Sequence, residues 1–298
     1  MTSPKADACW LIDASVFFFK YYFAIPDHCF SEEGDPTAAV FGFSHWLLKL
    51  LKTEQPRYVV ACFDESLGTC FRNDIYEDYK SSRAPADENI RFQFKACKHV
   101  CELSGIATYA SNRYEADDLI GTIAQRVRKQ GRSSVIVSRD KDLMQLLRYD
   151  DVFWHYPDGE QIDHHDVPSK FGVASEQIPD WLALVGDPID DIPGVPGVGK
   201  KTAASLLADY PNLQLLFSAL EKGFSNQNNK LKKLEGFEAQ IRTSYQLAKI
   251  VCDAPLDKRL RTRKIKTQAT ALVDFADTLG FSLRKPVQAL VSDYGIRP

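Results

Sequence analysis

The chain has 298 residues, 44% apolar, 26% charged and 11% aromatic, which is enough to bury one large or two modest cores and excludes disorder or low complexity as its main character. Its longest apolar candidate, Val16 to Ile25, is cut by Lys20 and falls short of the ~18 to 20 residues that a membrane span needs. The formal charge of −3, from 37 basic and 40 acidic residues, argues against a polyanionic partner only on average, because the average hides where the acids lie.

In chain order, the opening residues place Asp7 and Asp13 where a secretion signal wants an unbroken apolar stretch, so an unexported protein is expected. The front half then alternates short apolar runs with helical stretches, the pattern of a mostly parallel sheet with crossover helices. Ala8 to Ile12, Tyr58 to Phe63 and Ser134 to Ser138 are β-rich and too short for typical helices, and each is followed almost at once by an aspartate: Asp13, Asp64 and Asp140. In a parallel sheet those carboxyl ends share one edge, where α/β proteins build ligand sites. A fourth strand, Ile106 to Ala110, leads into Tyr114-Glu115-Ala-Asp117-Asp118 and a helix from Leu119 to Val127. Acids in a first helical turn complement the macrodipole and are unremarkable singly. Glu115 and Asp118, three apart, share a face.

Beyond Asp142 the spacing predicts a helix over Leu143 to Leu147, an irregular stretch through Pro157 and Gly159, and a mainly helical second half, with a boundary within 165–178. That half carries helical patterns over Leu206 to Leu220 and Tyr245 to Val251, and a basic run from Lys258 to Lys266. The run extends a phosphate-binding track or is a solvated edge. Seven cysteines, at 9, 29, 62, 70, 97, 101 and 252, form neither a CxxC pair nor an even framework, which makes the cytoplasm the default compartment. Within Cys97-x-His99-x-Cys101, helical geometry puts His99 nearly opposite the two thiols, which are read as buried rather than zinc-binding.

Nine carboxylates, Asp13, Asp64, Glu115, Asp117, Asp118, Asp140, Asp142, Asp187 and Asp190, look like one metal-binding set; removing these nine from the −3 leaves +6. A mildly basic body around an acidic pocket suits nucleic acid once divalent ions fill the pocket. Carboxylates without histidine or thiolate are hard oxygen ligands, suited to Mg²⁺ or Mn²⁺. So many would repel one another when empty, so two or more ions are expected, a pairing able to activate water and stabilise the leaving oxygen of a phosphodiester. Structural calcium or surface salt bridges would explain a few of these acids, but not their recurrence at successive strand ends.

Gly194-x4-Gly199-Lys200 nearly spells a nucleotide-hydrolase phosphate loop, yet Lys201 stands where Ser or Thr should ligand the metal and Asp-Asp-Ile-Pro precedes it instead of a strand. The alternative is a hairpin between helices, its glycines allowing close backbone approach and its amides facing a phosphate near Lys200. Phe71-Arg72 and Tyr79-Lys80-x-x-Arg83-Ala-Pro85 follow the Asp64 strand end. Lys80 and Arg83, three apart with Tyr79 adjacent, suit a strand's phosphates and a stacked base; a solvated helix face is the plainer reading.

Together these residues strongly resemble the 5′ nuclease family: the 5′-to-3′ exonuclease domain of bacterial DNA polymerase I, phage 5′ nucleases and, more distantly, flap endonucleases. The motifs are collinear, from Leu11-Ile-Asp13 through Ala39-Val-Phe-Gly-Phe43, Phe63-Asp64, Phe71-Arg72, the Tyr79 to Pro85 segment, Tyr114 to Asp118, Asp140-Lys-Asp142 and Gly186-Asp187-x-x-Asp190 to Pro193 through Lys200.

The resemblance implies an α/β fold with a mostly parallel central sheet flanked by helices (PIN-like or resolvase-like), over 1–173, with a helical arch near 65–95. A helical DNA-binding region over 174–298 would hold a helix-three-turn-helix near 190–210. By the same resemblance Asp64, Glu115 and Asp117 form the tighter metal site, with Asp13 and Asp118 close by or binding through water. Asp140, Asp142, Asp187 and Asp190 form the second. Lys80 and Arg83 would steady the scissile phosphate and Tyr79 stack on a terminal base. Lys20 stands where many relatives have Arg, which weakens a bidentate phosphate contact. Arg72 is expected on the DNA as well, and Gly194, Gly197, Gly199, Lys200, Lys201 and Thr202 on the downstream duplex, with K⁺ held by turn carbonyls. Ser138-Arg139 departs from the commoner Thr-Ala.

The expected function is a structure-specific 5′-3′ exonuclease and 5′-flap endonuclease of DNA replication and repair. It would be a monomer that attacks in line with a metal-activated water, leaves 5′ phosphates and accepts RNA–DNA hybrids as an additional substrate. The competing expectations are an inactive DNA-junction binding protein and an RNA-directed nuclease. The family occurs both as free-standing enzymes and as the front of polymerase I, and every metal-site acid that can be matched is retained.

Overall fold

A computed structural model describes residues 7–66, 68–156, 159–223, 228–256 and 266–294. The basic run beginning at Lys258 lies outside these residues except for Lys266. Six strands make one sheet: β1 Cys9–Asp13, β2 Tyr58–Asp64, β3 Ala107–Ser111, β4 Ser134–Val137, β5 Val152–Trp154 and β6 Gln161–Asp163, in the order β3-β2-β1-β4-β5-β6. Every neighbouring pair is parallel except β5 with β6. The strand order reverses between β1 and β4, and the crevice outside their carboxyl ends is where open α/β sheets bind ligands.

Both faces of the sheet are covered, as parallel sheets require. Side chains alternate along β1, so Trp10 and Ile12 join one core while Cys9 and Leu11 join the other. The first core packs α1 Ala14–Ala24 and α2 Ala38–Glu54 on the sheet and buries Phe17, Phe18, Phe43 and Phe63 completely. Each such side chain contributes roughly 1.5 to 3 kcal/mol. The second core carries α5 Ala116–Lys129, whose Ile120, Ile123 and Val127 recur at helical spacing on one buried face.

The segment after β2 departs from the expected arch. The helix α3 Phe71–Ile75 is a single short turn, further turns run from Glu77 to Ser82, and α4 Glu88–Leu103 begins only after Asp87 caps it by accepting the Ile90 N–H at 2.7 Å. Two features stop a longer helix here: Lys80 has φ +56°, outside helical space, and Pro85 restrains the residue before it. Instead of standing free, α4 buries Ala96, Cys97, Val100 and Cys101 in the first core. His99 lies on the far, exposed side against Phe275, so the two thiols are core residues, as expected.

The second half begins with α6 Val167–Phe171 and α7 Ile178–Val185, then a long loop to α8 Lys200–Asp209. The pattern over Leu206 to Leu220 resolves into two helices, because Pro211 interrupts it and Asn212 caps α9 Leu213–Glu221. With α10 Asn229–Lys232 and α11 Glu238–Ala248 these helices extend the second core. The last pair, α12 Ala269–Thr278 and α13 Arg284–Tyr294, returns to the opposite face and packs in the first core. The hairpin β5–β6 was not anticipated, and Leu143 to Leu147 is a 3₁₀ turn over Lys141–Leu146. Among the described residues no helix is long and apolar enough to cross a membrane.

Candidate active site

The strand ends assemble the acids as the parallel sheet dictates. Asp13 closes β1 and caps α1, accepting the Val16 N–H at 3.4 Å; Asp64 closes β2; Glu115 caps α5; Asp140 follows β4 and accepts the Asp142 N–H at 2.9 Å. Serines fix the orientation of several of these groups. The Ser138 hydroxyl donates to Asp13 Oδ2 at 2.7 Å and accepts from the Asp140 N–H at 3.0 Å, joining the ends of β1 and β4 across the switch point. Ser66 donates both N–H and O–H to Asp64 Oδ1, and Ser15 accepts the Asp64 N–H at 2.7 Å. The sequence reading missed these serines, although each stands two residues from an aspartate, the spacing at which short polar side chains close local turns.

Asp187 and Asp190 arrive from the second half on a pinched loop. Asp187 and Ile192 exchange both backbone hydrogen bonds at 2.9 Å, and Val195 N–H reaches Leu184 O at 2.9 Å. A Cβ on Gly194 would lie 2.0 Å from the Val185 carbonyl oxygen, and one on Gly186, at φ +79°, would lie 2.5 Å from the Gly194 nitrogen. Only glycine permits this neck. It places Asp190 against the first half, where Arg83 meets it at 2.5 Å and Lys80 Nζ at 3.4 Å while also pairing with Glu115. Asp117, Asp140, Asp142 and Asp190 line one cleft with Glu115, Tyr79, Gln145 and Ile192.

Crowding and burial set the protonation of these groups. Burial, then repulsion from Asp140, pushes Asp13 up to about 7 although Ser138 opposes it; burial with Asp140 and Asp187 pushes Asp142 up to about 8. Asp117 rises well above the usual carboxylate range from burial and its Asp140 and Asp13 neighbours, and Asp64 and Asp140 rise chiefly by burial. Glu115 is the exception: burial would raise it, but Lys80 and Arg72 outweigh burial and hold it low. A divalent ion is the natural remedy for the other five.

The donor set fits hard divalent ions: carboxylate oxygens alone, with Asp142 Oδ1 buried and lacking a hydrogen-bond partner. Among the described residues no three potential ligands already converge on one point; Lys80 lies between Glu115 and Asp190 instead.

Three of the expected residues have other roles. Arg72 is 2% exposed, and its guanidinium is engaged by Glu115 at 2.8 Å, Asp118 at 2.7 and 2.8 Å, and the carbonyls of Leu247 and Lys249, so it is not a surface DNA contact. Asp118 is fully buried and committed to Arg72, the Glu115 N–H and the Val251 N–H, leaving no oxygen for a metal or its water. Tyr79 is 4% exposed and donates to Glu115 at 2.9 Å, so it does not offer a face to a base.

In the hairpin, Gly199 caps α8, and Gly197, Gly199, Lys200 and Lys201 are exposed while Val195 and Val198 anchor the turn in the core. Thr202 is half-buried in the first turn of α8. The preceding element is a helix, not a strand, which removes the nucleotide-hydrolase reading. The carbonyls of Pro193, Gly194 and Gly197 are met by Ser244 at 2.7 Å, Gln240 at 3.0 Å and Lys233 at 2.9 Å.

A parallel sheet with acids at its carboxyl edge, closed by an acidic loop leading into a helical hairpin, is the arrangement of a resolvase-like nuclease. The fold is similar to that of T5 5′-exonuclease with bound divalent metal ions (zinc), with a TM-score of 0.67 and 17% identity over 97% of this chain and 99% of that one. It is also similar to the catalytic core of Rad2 in complex with DNA substrate, with a TM-score of 0.66 and 16% identity over 98% and 93%. Residues 8–172 match the family described as 5′-3′ exonuclease, N-terminal resolvase-like domain, and residues 173–271 match 5′-3′ exonuclease, C-terminal SAM fold. The chain belongs to the 5′-3′ exonuclease family, whose members are metal-dependent nucleases. It is 35% identical over 257 residues to a 5′-3′ exonuclease of Aquifex aeolicus, covering 86% of each. It is 34% identical over 289 residues to DNA polymerase I of Rhizobium leguminosarum, covering 93% of this chain but 28% of the polymerase.

Proposed function

We propose that the chain is a structure-specific 5′ nuclease that cuts DNA at 5′ flaps and removes nucleotides from 5′ ends, using Mg²⁺ or Mn²⁺, in replication and repair. The observation that carries this reading is Lys80, which bridges Glu115 of the sheet edge and Asp190 of the hairpin neck and so joins the acidic cleft to the helical hairpin. Asp64, Glu115 and Asp117 would hold one ion, with Asp13 beside them, and Asp140, Asp142, Asp187 and Asp190 the other. Bound there, the ions would polarise water and neutralise charge on the reacting phosphate.

The chain's own groups supply the rest. Lys80 and Arg83 move from their carboxylates onto the scissile phosphate and stabilise negative charge there. The exposed Gly197, Gly199, Lys200 and Lys201 backbone and side chains, with Thr202 in the same helical turn, grip the duplex through phosphates without reading bases. With three turn carbonyls already met by side chains, we assign no step to K⁺.

We place the nuclease core in 1–173 and the duplex grip in 174–298, the two acting as a monomer. Seven unpaired thiols suit a reducing cytoplasm. RNA–DNA hybrids are included as substrates because phosphate contacts carry no base information, and matched DNA and RNA flaps separate this from an RNA-directed enzyme.

Cleavage of an end-labelled 5′-flap duplex with Mg²⁺, with EDTA, and by Asp140→Ala tests the proposal. Metal-dependent release near the junction, absent in the variant, is the expected result. Tight binding without cleavage in either metal would favour a junction-binding protein, which the pairing of Lys80 and Arg83 with the acids would then serve.

A further inference from the structure

We infer that Lys233 is a built-in cation for the helical hairpin: its ammonium, seated on the Gly197 carbonyl, holds the turn in its duplex-binding shape, so the grip needs no bound monovalent ion. This rests on the nuclease reading. Lys233 Nζ donates to the Gly197 carbonyl at 2.9 Å. The residue directly follows α10, whose place is fixed from two sides. Leu231 and Leu234, on either side of it in sequence, are fully buried in the second core, and Lys230, three residues earlier, donates to the Ser205 hydroxyl of α8 at 2.5 Å. The backbone that carries the ammonium is thus pinned against the hairpin, although the side chain itself is exposed.

Other carbonyls of the turn are also met from within the chain. From α11, Gln240 donates to the Gly194 carbonyl and Ser244 to that of Pro193. The Val195 carbonyl accepts the Val198 N–H at 3.0 Å, and the Gly199 carbonyl accepts the Ala203 N–H at 3.0 Å. A free cation that drew these oxygens together would first have to displace their donors. Of the described side chains that meet turn carbonyls, only Lys233 is charged. An ammonium has three donors and no acceptor, so it can bond a carbonyl and still present positive charge beyond it. Gly197 lies two residues before Gly199, the cap of α8. Beside the partial positive charge of a helix start, a further cation is unfavourable in isolation and becomes favourable once an anion is bound. Lys200 and Lys201 add exposed charge at the same end. Lys233 serves the bound duplex through the turn that it holds, as a positioning residue.

The test is duplex binding by the whole chain, read by fluorescence anisotropy in EDTA so that no strand is cut, in potassium, sodium and tetramethylammonium chloride at one ionic strength. Tetramethylammonium screens charge but has no room among turn carbonyls. The wild type should give the same Kd in all three salts to within about twofold. Lys233→Met should bind about tenfold more weakly in tetramethylammonium and regain most of the loss in potassium, where an ion can take the ammonium's place. Lys233→Arg, which keeps a charged donor, should stay near wild type. Lys230→Met removes an equal charge from the same helix and should weaken binding equally in every salt. A wild type that binds at least about fivefold more tightly in potassium than in tetramethylammonium, or a Lys233→Met whose affinity is indifferent to the cation present, would overturn the inference. Flap cleavage by the wild type in Mg²⁺ tests the nuclease reading by itself, so the two can fail separately.

Discussion

Ser82 gives both its backbone N–H and its hydroxyl to one carboxylate oxygen of Asp191, at 3.0 and 2.8 Å. These two donors hold the Asp191 carboxyl below the usual range. Two residues before Ser82 and one before Asp191, the Lys80 N–H reaches the Asp190 carbonyl at 3.2 Å, and both Lys80 and Asp191 adopt positive φ, +56° and +55°. The loop carrying the proposed phosphate-steadying cations is thus latched to the loop carrying Asp190. Asp191→Ala removes the latch without touching Lys80 or Arg83, and limited trypsin digestion should then cut after these two residues several-fold faster. Equal cutting rates would mean that the ion pairs alone hold the loop.

Arg72 predicts a large stability effect from a residue next to the cleft. Removing it leaves Asp118 buried without a cation and Glu115 with Lys80 alone, along with two main-chain carbonyls unmet. Breaking a buried pair in this way costs about 3 to 5 kcal/mol, so Arg72→Met should shift the urea midpoint well below wild type. A midpoint within error of wild type would show that the guanidinium is dispensable to the fold.

Stability should fall as pH rises when divalent ions are chelated. Asp13 and Asp142 titrate near 4 in the unfolded chain but at about 7 and about 8 in the fold, so the folded state holds protons that the unfolded state has released. Their contribution is complete below pH ~4 and is lost up to the folded values, at no more than about 1.4 kcal/mol per pH unit per group. Thermal melts in EDTA between pH 5 and 8 should show the decline, and Mg²⁺ should reverse it at pH 8.

Asp142→Asn should separate stability from activity. Removing the charge relieves repulsion from Asp140 and Asp187, so in EDTA the variant should melt higher than wild type at pH 8 and converge with it toward pH 5. Flap cleavage in Mg²⁺ should drop at least about a hundredfold, since an amide is a poor substitute for a carboxylate ligand. Normal turnover would remove Asp142 from the metal assignment.

Gly194→Ala should disable the hairpin. Its Cβ would fall 2.0 Å from a backbone oxygen, which cannot yield as a flexible side chain can. Duplex affinity should fall with stability, read by fluorescence anisotropy and urea titration at the same temperature. Gly199→Ala is the control for stability alone, because a Cβ there meets nothing within 4 Å, and its urea midpoint should match wild type.

The sheet and its acidic edge were legible because β1 and β2 end on an aspartate, β4 is followed closely by one, and a parallel sheet aligns such ends. What sequence did not disclose is which charged groups the interior uses up. Arg72 and Asp118 carry the same signs of charge as Lys80 and Asp117, and only the return of residues 247–251 to the sheet distinguishes a buried clamp from a working group. The β5 and β6 strands escaped notice because three residues are too few to display a period. The arch was expected from resemblance, but a left-handed residue inside the segment is not visible in composition.

The clamp at Arg72 also sets an order of events during synthesis. Its partners lie at positions 115 and 118, made soon after it, and at 247 and 249, made long after. Until that late segment leaves the ribosome, two of the guanidinium's acceptors do not exist and the wall of the cleft formed by Leu247, Ala248 and Ile250 is missing. A nascent chain therefore carries its strand-end acids without a finished cleft around them until that segment has emerged. The acidic edge of the sheet is made first and its closing wall later, so the cleft cannot form before residues 247–250 are in place.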